Sequence, residues 1–90
     1  MANIREQIKL ERRWNQKCLL ISQFHYDRIE ENGDNTRGHK WRVEDSAREL
    51  NLSVGFVSES IRLARALGKY DTLKFYSREN ALKFLRESAL

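Results

Sequence analysis

The 90-residue sequence contains no proline and only four glycines. Proline breaks helices and glycine weakens them, so the chain lacks the usual interruptions of helical structure. Long stretches are rich in Arg, Glu, Lys, Leu and Ala, which have high helix propensities. We therefore expect an all-α fold, and no segment indicates a β-strand.

Cysteine and long apolar runs are also scarce. The single cysteine, Cys18, cannot form an internal disulfide, so the sequence does not indicate an oxidising compartment. No apolar run reaches the length of a membrane span and no signal peptide is evident, so we expect a cytoplasmic protein without a membrane partner. With 40% hydrophobic and 33% charged residues, residues 1–90 form one small domain with little core to spare.

Patterns typical of catalysis or metal binding are missing as well. The two histidines and Cys18 have neither the number nor the spacing of a metal site. Glu44, Asp45 and Glu49 lie on a predicted helix without a base, a nucleophile or metal ligands beside them. We expect no enzyme activity, no cofactor and no small-molecule ligand.

The strongest pattern in the chain, over residues 41–67, predicts two short helices joined by a tight turn. Apolar residues recur at helical spacing in both halves. They are Val43, Ala47 and Leu50 in the first half and Val57, Ile61 and Ala64 in the second. Asn51 tolerates the left-handed conformation that often ends a helix, and Ser53 can cap the next helix. Ala47 would lie where the helices cross, and the pattern predicts a helix-turn-helix.

The second of these helices carries most of the predicted DNA contacts. Small groups at its start would let the backbone approach a groove closely, and an arginine can bind guanine through two hydrogen bonds. The predicted DNA-binding residues are Ser53, Val54, Gly55, Ser58, Glu59, Arg62, Arg65, Lys69, Lys74 and Arg78. Gly55 is explained equally well by close approach and by a relaxed helix start. Glu59 either accepts a hydrogen bond from a cytosine amino group or holds Arg62 in place, whereas Lys69, Lys74 and Arg78 would reach only phosphates.

Basic residues are concentrated in the same part of the chain. Residues 54–90 hold seven basic and four acidic side chains, which accounts for most of the net charge of +4. Because the surplus begins within the predicted second helix, it favours duplex DNA as the partner. An ordinary solvated surface explains a surplus of this size equally well.

The second helix also resembles part of a known family. It has a Ser cap, an aromatic residue, a Val-Ser pair and an aliphatic-Arg-Leu ending. These residues are Ser53, Phe56, Val57, Ser58, Ile61, Arg62 and Leu63. The stretch resembles the helix-turn-helix of ParB-type plasmid and chromosome partition proteins, over about 25 of the 90 residues. The resemblance implies a DNA-contacting helix in a bacterial, plasmid or phage setting. It does not extend to the nucleotide-binding region of that family, so no CTPase or clamp activity is implied.

The N-terminal third predicts one long helix. Asn3 followed by Glu6 is typical of a helix start, and no breaker occurs before Gly33, so the helix should cover residues 1–32. A polar loop over residues 32–40 should follow it, and Trp41 should then close over the helix pair as a core residue. The other interpretation of Trp41 places it against a sugar-phosphate chain.

The apolar residues of this long helix favour a homodimer. Leu20 and Phe24 lie nearly opposite the main apolar stripe, so a second copy of the helix would cover them. The alternative is a helix that breaks near residues 22–25 and folds back on itself.

After the helix pair, we expect Gly68 to end the second helix and the aromatic residues of the following connector to seal the underside of the domain. A short C-terminal helix over residues 77–88 should begin at Ser77. The predicted function is sequence-specific duplex DNA binding by a small regulator or accessory factor of a phage, plasmid or bacterial chromosome, in transcription regulation or plasmid partition. The alternative is a helical protein-interaction adaptor in a replication, packaging or partition assembly.

Overall fold

The computed structural model describes residues 3–32 and 41–88, and these residues form helices and short connections without a strand. The helices are α1 (Ile4–Leu10), α2 (Trp14–Glu31), α3 (Val43–Leu50), α4 (Val54–Lys69) and α5 (Arg78–Ser88), with a 3₁₀ helix over Asp71–Phe75. The predicted loop lies, apart from its first residue, outside the described residues. No helix in the described part of the chain has both the length and the apolar character needed to cross a membrane.

The predicted continuous N-terminal helix is wrong, because the chain breaks between α1 and α2. Asn3 caps α1 as predicted, and its side chain accepts a hydrogen bond from the Glu6 N–H at 3.0 Å. Glu11 and Arg13 have extended backbones, and the Glu11 carboxylate accepts a hydrogen bond from the Arg13 backbone N–H at 3.2 Å. α2 is unbroken at residues 22–25, where the alternative interpretation placed the break. The observed break allows α1 to pack back against α2.

The apolar residues of α2 are covered within the chain. Phe24 is only 3% exposed and lies in one half of the core with Ile8 of α1 and Val57 of α4. Leu20 is partly buried against the same cluster. Leu20 and Phe24 were predicted to need a second copy of the helix to cover them, but α1 folds back and contributes Ile8 to this half of the core. The argument for a dimer interface at these two residues loses its basis.

The other half of the core joins α2, α4 and α5. It contains Cys18, Leu63, Leu73 and Ala81, and burial raises the pKa of the Cys18 thiol. The predicted C-terminal helix is confirmed, and the Ser77 hydroxyl caps it by accepting a hydrogen bond from the Asn80 N–H at 3.1 Å.

The connector between α4 and α5 differs from the prediction in two ways. α4 runs through Gly68 to Lys69, where the Tyr70 N–H still donates a helical hydrogen bond to the Ala66 carbonyl. The predicted end at Gly68 is wrong, since α4 keeps its helical conformation through this residue. Phe75 is 79% exposed, so it does not seal the core as predicted, and the aliphatic side chain of Leu73 is buried in its place.

The turn between α3 and α4 forms as its residues predict. Asn51 is left-handed, with φ 57° and ψ 45°, and the Leu52 N–H donates to the Ala47 carbonyl at 2.9 Å. The Ser53 hydroxyl accepts a hydrogen bond from the Phe56 N–H at 3.1 Å and so caps α4. Ala47 is buried between the packed helices, as expected of a residue at a crossing.

A buried polar network attaches α3 to α2. The indole Nε1 of Trp41 donates to the Ser46 hydroxyl at 2.8 Å, and Ser46 Oγ lies 2.7 Å from Nδ1 of His25. His25 and Ser46 are buried, and desolvation lowers the pKa of His25. A neutral imidazole can accept a hydrogen bond from the Ser46 hydroxyl through Nδ1, so Ser46 accepts from Trp41 and donates to His25. Trp41 is partly buried in this arrangement.

Candidate nucleic-acid interface

α4 buries one side in both halves of the core and presents the other to solvent. At about 100° per residue, six of its exposed or half-exposed residues fall within an arc of about 100° along the helix, whereas Phe56, Glu59 and Gly68 lie outside it. The six residues within the arc, which we call the α4 stripe, are Val54, Gly55, Ser58, Arg62, Arg65 and Lys69. All six are among the predicted DNA-binding residues, and the regular spacing of buried residues on α4 is what brings them together.

The α4 stripe carries three cations and no carboxylate. The side chain of Arg62 forms no hydrogen bond or ion pair with another described residue, so its guanidinium is available to a ligand. The Arg65 Nη2 donates to the hydroxyl of Tyr26 at 3.2 Å, which leaves its other N–H groups free. The Lys69 ammonium lies 5.4 Å from the centroid of the Tyr70 ring. The stripe therefore presents a line of positive charge without an internal counterion.

The first turn of α4 is small and open. A Cβ placed on Gly55 would meet no atom within 4 Å, and the residue does not have the positive φ that would require glycine. The fold itself therefore gives no packing reason for glycine at this position. Val54 beside it is exposed, and the Ser53 hydroxyl is already used as the helix cap.

Three of the predicted contacts lie away from the α4 stripe. Glu59 forms an ion pair with Arg78 at 2.9 Å, so it does not hold Arg62. The Arg78 guanidinium also stacks 4.6 Å from the centroid of the Phe56 ring. Lys74 pairs with Asp71 at 3.1 Å. The charges of Lys74 and Arg78 are thus partly neutralised within the chain. Glu59, the one carboxylate among the predicted DNA contacts, is paired with Arg78 and is not part of the α4 stripe.

A second ionic cluster positions α3 against the N-terminal helices. The Glu49 carboxylate accepts a hydrogen bond from Arg5 of α1 at 2.8 Å and lies 3.2 Å from Nε of Arg28 on α2. All three side chains are partly exposed, so each pair contributes at most about 1 kcal/mol. These ion pairs orient α3, because Glu49 contacts side chains of both α1 and α2.

Sequence reasoning missed Tyr26 as a residue that orients part of the α4 stripe. It lies 39 positions before Arg65 on a different helix, and no local spacing connects the two. Among the described residues, no three His, Cys, Asp or Glu side chains come together in a way that would hold a metal ion.

No protein-family model matches the chain, and neither the curated proteins nor the solved structures give a match. The resemblance to partition proteins therefore stays a prediction, and the functional argument rests on the geometry of α3 and α4.

Proposed function

We propose that α3 and α4 act as a helix-turn-helix that binds duplex DNA, with the α4 stripe in the major groove. The observation that carries this proposal is the stripe itself, which has three cations and no carboxylate along one exposed side of a helix. The major groove is about 12 Å wide and admits an α-helix. A line of unpaired cations on that helix matches the negative potential of the groove and its flanking phosphates.

The residues of the stripe divide into two roles under this proposal. Arg62 lies near the middle of α4 and has no partner among the described residues, so it is the candidate for a two-hydrogen-bond contact with guanine. Lys69 lies at the end of α4, where a helix that enters a groove with its N-terminal half would reach only the phosphate backbone. Gly55 and Ser58 would allow the backbone to come close to the base edges.

The biological setting is proposed from the resemblance to partition proteins. It favours a small regulator or accessory factor of a phage, plasmid or bacterial chromosome, acting in transcription regulation or partition. The alternative, a protein-interaction adaptor in a larger assembly, is supported by the exposed side chains of Leu10 and Phe75.

The test begins with selection of a preferred duplex from a random pool, followed by titrations on the selected and a scrambled duplex at several salt concentrations. Arg62→Ala should cost roughly 1 to 3 kcal/mol on the selected duplex and little on the scrambled one. Lys69→Ala should weaken both duplexes equally and make the slope of log K against log salt shallower by about one unit. Lys83→Ala, a matched loss of charge on the exposed side of α5, should change neither.

Circular dichroism of each variant would show that the helices are retained. If Arg62→Ala and Lys83→Ala give the same affinities on both duplexes, α4 does not read sequence. Failure of the parent protein to bind either duplex at low salt would favour the adaptor.

A further inference from the structure

A second basic surface lies on a different side of the molecule. A cleft of about 380 Å³ opens where the α1–α2 junction meets the first turns of α4 and α5. Four cations line this cleft, with two aromatic side chains among its walls. The residues are Lys9, Arg12, Lys17, Arg78, Trp14 and Phe56. We call this the junction cleft, and its volume is at the lower end of the range for small-ligand sites.

The cations of the junction cleft are poorly compensated by the chain. The side chains of Lys9, Arg12 and Lys17 form no ion pair or hydrogen bond with any other described residue. Like charges brought together in a concave site repel one another, and an anion between them removes the repulsion. The cleft therefore has three cations available to a ligand.

The two remaining charged groups of the cleft, Glu11 and Arg78, already have partners within the chain. The Glu11 carboxylate accepts hydrogen bonds from the backbone N–H and the guanidinium of Arg13, which hold its pKa below the ordinary value. Arg78 is paired with Glu59, but its Nε–H is buried and has no hydrogen-bond partner among the described residues. Arg78 therefore adds positive charge to the cleft, but its paired Nη2 and buried Nε are not open to a ligand.

The junction cleft is separate from the α4 stripe. Phe56, which lines the cleft, lies about 150° around α4 from the centre of the stripe. The two basic surfaces therefore face different directions, and the cleft is not an extension of the proposed major-groove surface.

We infer that the junction cleft binds a phosphate group. Three unpaired cations suit a phosphate, which carries up to two negative charges and several acceptor oxygens, better than a single carboxylate. The phosphate comes either from the backbone of a bound duplex or from a free phosphorylated small molecule. Only the first source rests on the proposed function.

The first arm of the experiment uses inorganic phosphate and the full chain without DNA. Amide and indole N–H resonances are followed by NMR, with sodium chloride at equal ionic strength as the blank. We expect saturable shifts at the Trp14 indole and at backbone amides between Lys9 and Lys17. The double variant Lys9→Gln/Lys17→Gln should bind at least roughly tenfold more weakly, since two charged hydrogen-bond donors are lost. Lys17→Arg should retain binding, and Lys83→Gln is the control for loss of charge elsewhere.

The second arm identifies the source of the phosphate. The double variant is titrated with the selected duplex at several salt concentrations. A slope shallower than that of the parent by one to two units, at about one unit per lost phosphate contact, assigns the cleft to the DNA backbone. An unchanged slope together with lost binding of inorganic phosphate assigns it to a free phosphorylated ligand.

The inference is overturned if the parent shows no saturable phosphate shift beyond the chloride blank and the double variant leaves the DNA slope unchanged. If the parent binds no DNA at all, the proposed function fails while the first arm still decides the cleft. A saturable shift at Trp14 then supports the phosphate site, and its absence overturns it.

Discussion

Burial changes the chemistry of His25, whose ring lies between α2 and α3 beside the hydroxyl of Ser46. Desolvation disfavours the charged imidazolium, so the pKa of His25 in the folded protein lies below its ordinary value of 6.5. The unfolded chain then binds more protons than the folded chain between the two pKa values. Acid therefore favours unfolding in that range.

We predict that the protein loses stability as the pH falls through 6.5 and that the loss levels off below the folded pKa of His25. Thermal unfolding followed by circular dichroism between about pH 7.5 and about pH 5 would measure it. His25→Gln, which cannot gain this proton, should be less stable at neutral pH but should respond less to acid. An equal pH response in parent and variant would contradict a depressed pKa at His25.

The ionic contacts between distant residues could not be predicted from the sequence. Glu59 is on the helix predicted to carry the DNA contacts, but its partner Arg78 lies 19 positions later on α5. Glu49 contacts Arg5, 44 positions earlier. Helical spacing identifies which residues share a face, but it does not say which other helix will lie opposite that face.

At the level of elements, the α3–α4 turn was predictable because its determinants are local. Asn51 adopts the left-handed conformation, and Ser53 caps α4 through a contact only three residues away. The break between α1 and α2 has no such signal, since neither glycine nor proline occurs at residues 11–13. The break is favoured because it lets α1 pack back on α2. That packing depends on core residues from several helices, which local spacing does not reveal.

Gly55 allows a test of the proposed interface at the level of one helix. Gly55 and Gly68 lie in the first and last turns of α4, and a Cβ on either would meet nothing within 4 Å. Alanine at either position should therefore raise the free energy of unfolding by roughly 0.4 to 1 kcal/mol, because it reduces the freedom of the unfolded chain. We predict that only Gly55→Ala also weakens DNA binding, by about 1 kcal/mol or more, because its methyl group would stand between α4 and the base edges.

Urea titrations of the two variants, paired with titrations on the selected duplex, separate the effects. Gly68→Ala is the matched control, since it makes the same change outside the α4 stripe. Equal DNA affinities for Gly55→Ala and the parent would mean that the glycine only relaxes the start of the helix.

At the level of the whole molecule, charge is arranged on two separate surfaces. The α4 stripe and the junction cleft together hold most of the cations that have no partner among the described residues. The carboxylates of Glu11, Glu49 and Glu59 are bound to arginines within the chain. The modest net charge of +4 therefore understates the positive field that an approaching polyanion would meet.

The core also bears on whether a second copy of the chain is needed to cover the apolar residues of α2. The sequence suggested that α2 was too apolar for one chain to cover, because a straight first helix would leave Phe24 without a neighbour. With the chain broken after α1, Ile8 reaches the cluster that contains Phe24 and Val57. The described residues of one chain thus pack into both halves of the core.

We predict that Phe24→Ala lowers the free energy of unfolding by about 3 to 5 kcal/mol, the usual cost of removing a buried phenylalanine. Leu19→Ala, on the exposed side of the same helix, should cost less than about 1 kcal/mol. Because Phe24 packs within one chain, the urea midpoints of parent and variant should not change between low and high protein concentration. Sedimentation equilibrium of the parent measures self-association directly. A midpoint that rises with concentration in the parent and stays constant in Phe24→Ala would restore the predicted dimer through this helix, since only association makes stability depend on protein concentration.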